Sequence, residues 1–367
     1  MRLISYPGQG VRLISYPGLE VGLIPSIDIP TLNLYNSPVG FLLSLFLGVS
    51  TALAYAAIVY WLDRYEKEPR RLLAGVFLWG AFVAGGGALL INSLLGAGIY
   101  AFTGSLAASE LATSTLIAPL VEETLKGLAV LGVFLRYRSE FDSLLDGIVY
   151  AAVTALGFAA AENTLYIYRN GYLQNGFSGL FLLAFVRVVL VGWQHPFYTA
   201  FTGAGLSAAR FSRSAAIRLG APLIGWSLAV SAHALHNALA GLLPGLSGLM
   251  LGTALDWSGW LFMLGVIFYA TARERRWLRE YLAGEVQRGA LTADQYRTAC
   301  SAWSQSAARL SALFRGRYRV AWRFYQLCGE LAHKKRQLAR MGDEGGNAAE
   351  IERLRAELAS LSPLVGR

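Results

Sequence analysis

The sequence predicts an all-α polytopic membrane protein: a bundle of about seven transmembrane helices followed by a soluble helical tail. Three observations predict it. The 367 residues are 55% hydrophobic and only 15% charged, with a mean hydropathy of +0.44, too apolar for a soluble protein of this size. Segments 39–62, 72–102, 112–135, 144–168, 179–209, 217–242 and 249–271 are each apolar and long enough to cross about 30 Å of hydrocarbon as helices. The basic residues of the connecting loops alternate from one side to the other.

Taken in order, residues 1–38 form an extension that opens on a ten-residue duplication, RLISYPGQGV at 2–11 and RLISYPGLEV at 12–21. It is too short and too rich in Pro and Gly for a repeat fold. No basic start followed by an apolar core marks a signal peptide. Residues 39–271 are the seven-span region. Its second and fifth segments exceed the minimum length and so tilt, kink or run beyond the lipid. The Gly-rich stretch with Gly80, Gly85, Gly86 and Gly87 reads as close helix packing and not as a phosphate loop, since no strand precedes it.

Arg64, Lys67, Arg70 and Arg71 follow the first span, Arg136 and Arg138 the third, and Arg210, Arg213 and Arg218 the fifth, while the intervening loops hold only Arg169. This places the N-terminus outside and the C-terminus in the cytoplasm of a multi-pass plasma (inner) membrane protein. The tail, 272–367, carries 18 Lys/Arg against 10 Asp/Glu, whereas 1–271 carries 14 against 13. A basic excess confined to the tail suits anionic lipid headgroups at the bilayer surface. Nucleic acid is not expected, because no recognition motif accompanies the arginines. In the tail, Thr292 and Gln295 predict a capping box. Ile351, Leu354, Leu358 and Leu361 predict either a short coiled-coil contact or docking onto the tail's other helices. Cys300 and Cys328 suggest neither a disulfide framework nor a cysteine metal site.

The chemistry sits in the third span, LIAPLVEETLKGLAVL. Ionisable side chains at membrane depth are costly and mark function. Residues four apart share a helix face, so Lys126 is expected to pair with Glu122, leaving Glu123 to find another partner. Pro119, one turn earlier, removes a backbone hydrogen bond and opens the helix. Three of the four histidines, His195, His233 and His236, also lie in spans. Imidazole is a metal ligand and a proton shuttle. His195 is expected near the middle of the fifth span, with Pro196 interrupting the helix beside it. In HALHN, Asn237 shares a face with His233 and is expected to orient it or to hold an oxyanion, while His236 reads as an interhelical hydrogen bond. Lys126, His236 and, in the fourth span, Asp146, Glu162 and Asn163 are supporting residues, while Arg187 in the fifth reads as a structural or lipid-facing partner of a carboxylate. At about 1.5 Å per residue, Glu122 and His233 reach similar depths, which implies a water-filled cavity in the outer half to centre of the membrane.

Together these motifs resemble the PrsW family of intramembrane proteases. DRYEKEPRRLL after the first span, EETLK, DGIVYAAVTALGFAAAEN, HPFYTAFTG and HALHN carry the likeness, in that order. The related CAAX-processing and Abi membrane proteases have a double glutamate, a histidine, and a histidine followed four residues later by asparagine, matched here by Glu122-Glu123, His195 and His233 with Asn237. Those relatives often carry Phe four residues before the middle histidine, where this chain has Val191. The resemblance implies an endopeptidase of the metalloprotease class, with Zn2+ implied, acting on a membrane-anchored protein such as an anti-sigma factor. The residues support two mechanisms. Glu123, or Glu122 if the pairing with Lys126 is reversed, activates water. His195 and His233 then either bind a metal together with Glu123, or hold the water and oxyanion directly. A transporter or proton-coupled channel is the rival reading, against which stands the lack of internal symmetry. A non-catalytic membrane scaffold is the third.

Overall fold

A computed structural model of the chain describes residues 38–243, 245–343 and 345–365, together with 15–16 and 19–20. Most of the duplicated N-terminus therefore lies outside the described residues. Within the second copy, Ser15–Tyr16 (β1) pairs antiparallel with Leu19–Glu20 (β2). All other regular structure among the described residues is helical. The chain forms two compact units.

The first unit comprises residues up to Val59, Arg70–Arg136 and Gly147–Met263. Its helices are α1 (Pro38–Leu62), α2 (Arg70–Leu78), α3 (Gly85–Thr103), α4 (Leu106–Ala112), α5 (Ala118–Arg136), α6 (Leu144–Tyr166), α7 (Leu173–Ala184), α8 (Gln194–Arg210), α9 (Ala215–Leu242) and the start of α10 (Gly245–Gln287). Among the described residues, five helical stretches are long and apolar enough to cross a membrane: Pro38–Leu62, Arg70–Thr103, Leu144–Arg210, Ala215–Leu242 and Gly245–Gln287. The longest holds two of the expected spans. It turns back at Asn175 and Gly176, where the backbone leaves the helical region and Gly176 takes φ +60°; Arg187 then returns to Glu162 and Asn163. The expected third span is also helical, but Glu122, Glu123 and Lys126 set it apart from the five.

Glycine-mediated contacts fix the packing around α8. A Cβ on Gly203 would stand 2.0 Å from the Gly147 carbonyl oxygen, so α6 and α8 touch backbone to backbone. A Cβ on Gly205 would stand 3.2 Å from the Gly225 Cα, bringing α9 equally near. Only glycine permits such approaches. Gly205 opposite Gly225 is an antiparallel register that, carried along both helices, brings His195 within one turn of the level of His233. α5 joins this pair: Gly127 meets Thr202, and Trp226 donates to Thr124.

Two irregular stretches bear on the site. A π-helical stretch, Thr113–Ile117, precedes Pro119, and insertions of this kind recur at functional sites. The helix before α8 ends at Leu190, and α8 begins only at Gln194. His195 thus lies in the first turn of α8, not mid-helix. Pro196 follows it where a missing N–H costs nothing. Tyr55 and Trp257 donate to the carbonyls of Val188 and Leu190 beside the break.

The second unit comprises Tyr60–Pro69, Tyr137–Asp146 and Leu264–Arg367. It adds α11 (Ala293–Ala299), α12 (Ala302–Phe314), α13 (Tyr318–Met341) and α14 (Asn347–Val365). Thr292 and Gln295 form the expected capping box. Ile351, Leu354 and Leu358 are buried in the unit's own core with Leu278, Phe324, Leu327 and Leu331, which is the docked alternative for the Leu/Ile stripe. Cys300 and Cys328 are buried free thiols, and burial raises the thiol pKa of both, as in structural cysteines. The two loops are tied to α13. Gln326 exchanges hydrogen bonds with the Lys67 backbone, Arg336 donates to the Asp142 carbonyl, and His333 Nδ1 lies 2.5 Å from Glu66 Oε2 and 2.6 Å from Asp142 Oδ1. At the start of α6, Ser143 accepts from the Asp146 N–H while Asp146 accepts from the Ser143 N–H. This is a capping box with Asp in the acidic place, and it is what Asp146 does here.

Candidate active site

Three helices of the first unit supply the side chains that converge: α5 gives Glu122, Glu123 and Lys126, the first turn of α8 gives His195, and α9 gives His233. Glu123 is fully buried. Its Oε1 accepts from Lys126 Nζ at 2.5 Å and lies 2.9 Å from His233 Nδ1, and its Oε2 accepts from Thr199 Oγ1 at 2.8 Å. The lysine therefore pairs with Glu123, three residues away, and not with Glu122 as the i,i+4 spacing suggested. The fully buried Lys126 ammonium lies against the Phe158 ring as well, so packing against α6 and α8 selects the partner over helix spacing alone.

Glu122 is consequently the carboxylate with an uncommitted oxygen. Its Oε1 takes one long hydrogen bond of 3.4 Å from Asn92. Oε2 is buried without a hydrogen-bond partner and stands 3.8 Å from His233 Nε2. A buried carboxylate oxygen left unpaired costs on the order of 1–3 kcal/mol. Such a cost persists where the atom has a task.

Each histidine is oriented by its own carboxylate. With Nδ1 of His233 on Glu123, the proton belongs on that nitrogen and Nε2 turns its lone pair toward Glu122. His195 Nε2 lies 2.9 Å from Glu162 Oε2, and Glu162 is itself held by Arg187, which also donates to Asn163 at 2.9 Å. The two imidazoles meet edge to face with centroids 5.3 Å apart. Donor atoms of Glu122, His195 and His233 all lie within 4.8 Å of one another.

Two imidazoles and a carboxylate are the donor set of many catalytic Zn2+ sites, and the uncommitted Glu122 Oε2 adds a ligand atom with nothing else to bind. The residues fit a divalent metal. They place Glu122 where Glu123 stood in the sequence-based ligand set, because every contact of Glu123 goes to holding its neighbours.

The remaining sequence candidates fall elsewhere. Asn237 is not on His233: its amide donates to the Ser114 carbonyl at 2.8 Å. The π stretch explains this. Ala118 N–H bonds Thr113, five residues back, so the donor due to Ser114 would come from Pro119, which has no N–H; Asn237 supplies one instead. His236 Nδ1 lies 2.9 Å from Asp256 Oδ2. Asp256 also accepts from the Tyr198 hydroxyl, and the Tyr198 ring stacks on His233 at 5.0 Å. Sequence reasoning passed over Asp256, Tyr198 and Thr199. Asp256 carried the same signal as Glu122, being the one charge in the segment 249–271; the other two sit one turn from His195.

Residues 68–272, more than half of the chain, match the family described as PrsW family intramembrane metalloprotease. The chain is similar to Protease PrsW of Geobacillus kaustophilus (strain HTA426), 31% identical over 165 residues, which are 45% of this chain and 66% of that protein. It is similar to Protease PrsW of Clostridioides difficile (strain 630), 36% identical over 126 residues, 33% of this chain and 51% of that one. Protease PrsW of Bacillus subtilis (strain 168) is 28% identical over 165 residues, 45% and 68% of the two chains. The chain thus spans about half to two thirds of the length of these relatives. No solved structure matches it. With the match running from the loop after α1 through the whole Glu122, His195 and His233 cluster, the chain belongs to the PrsW family of intramembrane metalloproteases.

Proposed function

We propose that the chain is an endopeptidase that hydrolyses a peptide bond of a membrane-anchored protein, using Glu122, His195 and His233. The observation that carries this reading is the convergence of two separately oriented imidazoles on a carboxylate that keeps one buried oxygen uncommitted. Zn2+ suits the three ligands and, when bound, would polarise the scissile carbonyl and acidify water.

The chain's own residues do the rest. In the metal-free alternative, where Glu122 Oε2 is not a ligand, Glu122 takes the proton of the attacking water as the water oxygen bonds to the carbonyl carbon, and returns it to the leaving amine as the C–N bond breaks. Glu123 keeps His233 in one tautomer, and the Lys126 ammonium balances the Glu123 charge. Glu162, held by Arg187, keeps His195 turned toward the cluster. Burial of Glu122, Glu123, Lys126, His195 and His233 keeps bulk water from the cluster. The loop charges support an N-terminus outside and a cytoplasmic C-terminus in the plasma membrane, with the basic tail beside anionic headgroups, and the family likeness makes a single-span anti-sigma factor the leading substrate.

The test is purified protein in vesicles with a tagged single-span substrate. One site-specific cut is expected, lost in both His195→Ala and His233→Ala. Ion flux without cleavage would favour a transporter and overturn the reading, as would undiminished cleavage by either variant.

A further inference from the structure

Helix α12 is amphipathic the wrong way round for a helix in water. Its two longest polar residues face inward: Gln305 is buried and donates to the Ala299 carbonyl at 2.8 Å, and Arg309 donates to Gln305 at 3.0 Å. Its large apolar residues face outward. Trp303 is 80% exposed, Phe314 84%, Leu310 56% and Leu313 54%. Trp303, Ala307, Leu310 and Phe314 follow each other at steps of four, three and four, so they form one stripe along the helix. A continuous exposed apolar stripe marks a surface that is covered in use.

What covers it is indicated by where α12 is tethered. Arg64, two residues past the end of α1, donates to the Ala302 carbonyl at 3.3 Å and to Ser306 Oγ at 2.8 Å. The same guanidinium stacks on Trp61 at 4.3 Å, and Trp61 is itself exposed. A Trp with an Arg at the end of a spanning helix is the pattern of the lipid–water boundary. Arg64 therefore fastens α12 to the chain beside Trp61. The chain after the stripe supplies exposed Arg315, Arg317 and Arg319, the charge that an anionic leaflet attracts.

We propose that α12 is an interfacial helix lying in the plane of the membrane surface, with Trp303, Leu310, Leu313 and Phe314 in the acyl boundary and Arg315, Arg317 and Arg319 on anionic headgroups. Apolar exposure that is unfavourable in water becomes the binding energy of such a helix. The proposal is independent of the proteolytic reading, since nothing in it involves the membrane cluster.

The experiment uses the full chain in lipid nanodiscs, with an environment-sensitive fluorophore on Leu310→Cys or Phe314→Cys and, as control, on Asp294→Cys, whose side chain is 83% exposed. The native thiols are buried and serve as the unlabelled background. Brominated lipids are expected to quench positions 310 and 314 at least about twofold more than 294, with aqueous iodide showing the reverse order. Replacing Arg315, Arg317 and Arg319 by Gln should abolish the increase in quenching that anionic lipid brings over zwitterionic lipid. Equal lipid quenching at all three positions overturns the proposal. So does shielding of 310 and 314 from iodide that grows with the number of protein copies per disc, which would make the stripe a contact between copies.

Discussion

Each unit buries a cluster of histidine and carboxylate, and the two are proportioned differently. In the first unit two imidazoles share three carboxylates: Glu123 serves His233, Glu162 serves His195, and Glu122 is left with an oxygen that bonds nothing. In the second unit one imidazole serves two carboxylates, and both Glu66 and Asp142 crowd the same nitrogen of His333. The second arrangement holds a proton. Burial alone would lower the His333 pKa, but Glu66 and Asp142 keep it well above the ordinary imidazole range. Burial, and then the neighbouring Asp142, pushes Glu66 up to about 8. Asp142, which burial would raise, is held below its usual value by His333. The difference lies in apportionment: each imidazole of the first cluster has a carboxylate of its own, whereas both carboxylates of the second share one nitrogen, although Asp142 Oδ2 too is buried without a hydrogen bond and the donor atoms of Glu66, Asp142 and His333 also lie within 4.8 Å of one another.

The sharpest way to break this comparison is to exchange the roles of adjacent residues. Glu122→Gln is expected to lower cleavage by about 10²- to 10⁴-fold, the worth of a positioned acid–base group, with little change in melting temperature. Glu123→Gln strands the Lys126 ammonium and is expected to cost about 3–5 kcal/mol of stability, as breaking a buried pair does. Thermal melts and cleavage assays on the two variants separate them. A Glu122→Gln protein that cuts normally would remove Glu122 from the chemistry.

Arg187→Met tests whether orientation matters as well as contact. Arg187 reaches no member of the converging trio, yet it holds Glu162 on His195. Loss of such outer support typically costs 10- to 100-fold in activity or metal affinity. The fall should appear in kcat with little change in KM; an unchanged kcat would show that Glu162 holds His195 unaided.

Most of the fold and the heart of the site are legible in the sequence, for a physical reason. In an apolar span any ionisable residue stands out, so Glu122, Glu123, His195 and His233 announce themselves against a background of Leu, Ala and Val. What stays hidden is pairing. Whether Lys126 takes Glu122 or Glu123 depends on Thr199, His233 and Phe158, contributed by other helices, and no spacing rule within α5 contains them. The break before α8 is equally tertiary, since the freed carbonyls accept hydrogen bonds from Tyr55 and Trp257 elsewhere in the chain. In the second unit the background reverses. Glu66, Asp142 and His333 sit among many charges, so nothing in the sequence marks them as partners, Asp142 and His333 being 191 residues apart.

The pH dependence of that second cluster has a definite sign. Glu66 keeps its proton in the folded state up to about 8 but loses it near 4.5 when unfolded. Between those values the folded chain binds more protons, so stability falls as pH rises. His333, with its raised pKa, acts in the same direction from its ordinary value of 6.5 upward, whereas the lowered Asp142 matters only on the acid side of 3.8. Melting of the full chain should therefore weaken from pH 4.5 to about 8, with a contribution of at most about 1.4 kcal/mol per pH unit from Glu66, joined above pH 6.5 by a second proton, on His333. Glu66→Gln should flatten that slope; an identical pH profile in the variant would refute the assignment.

The smallest expected effect discriminates the two readings of Asn237. A residue that orients His233 or holds an oxyanion would lose cleavage on the scale of Glu122 when truncated. A residue that caps the Ser114 carbonyl beside Pro119 would lose one hydrogen bond, worth about 0.5–1.5 kcal/mol, and cleavage would fall only as far as the folded fraction does. The hydrogen bond from Asn237 to the Ser114 carbonyl supports the second role. Replacing Pro119 by Ala supplies the missing N–H, so Asn237→Ala should cost less stability in that background than in the wild type. The double-mutant cycle measures this coupling directly. Additive losses in the two variants would break the link between the proline and the asparagine and return Asn237 to the candidates for catalysis.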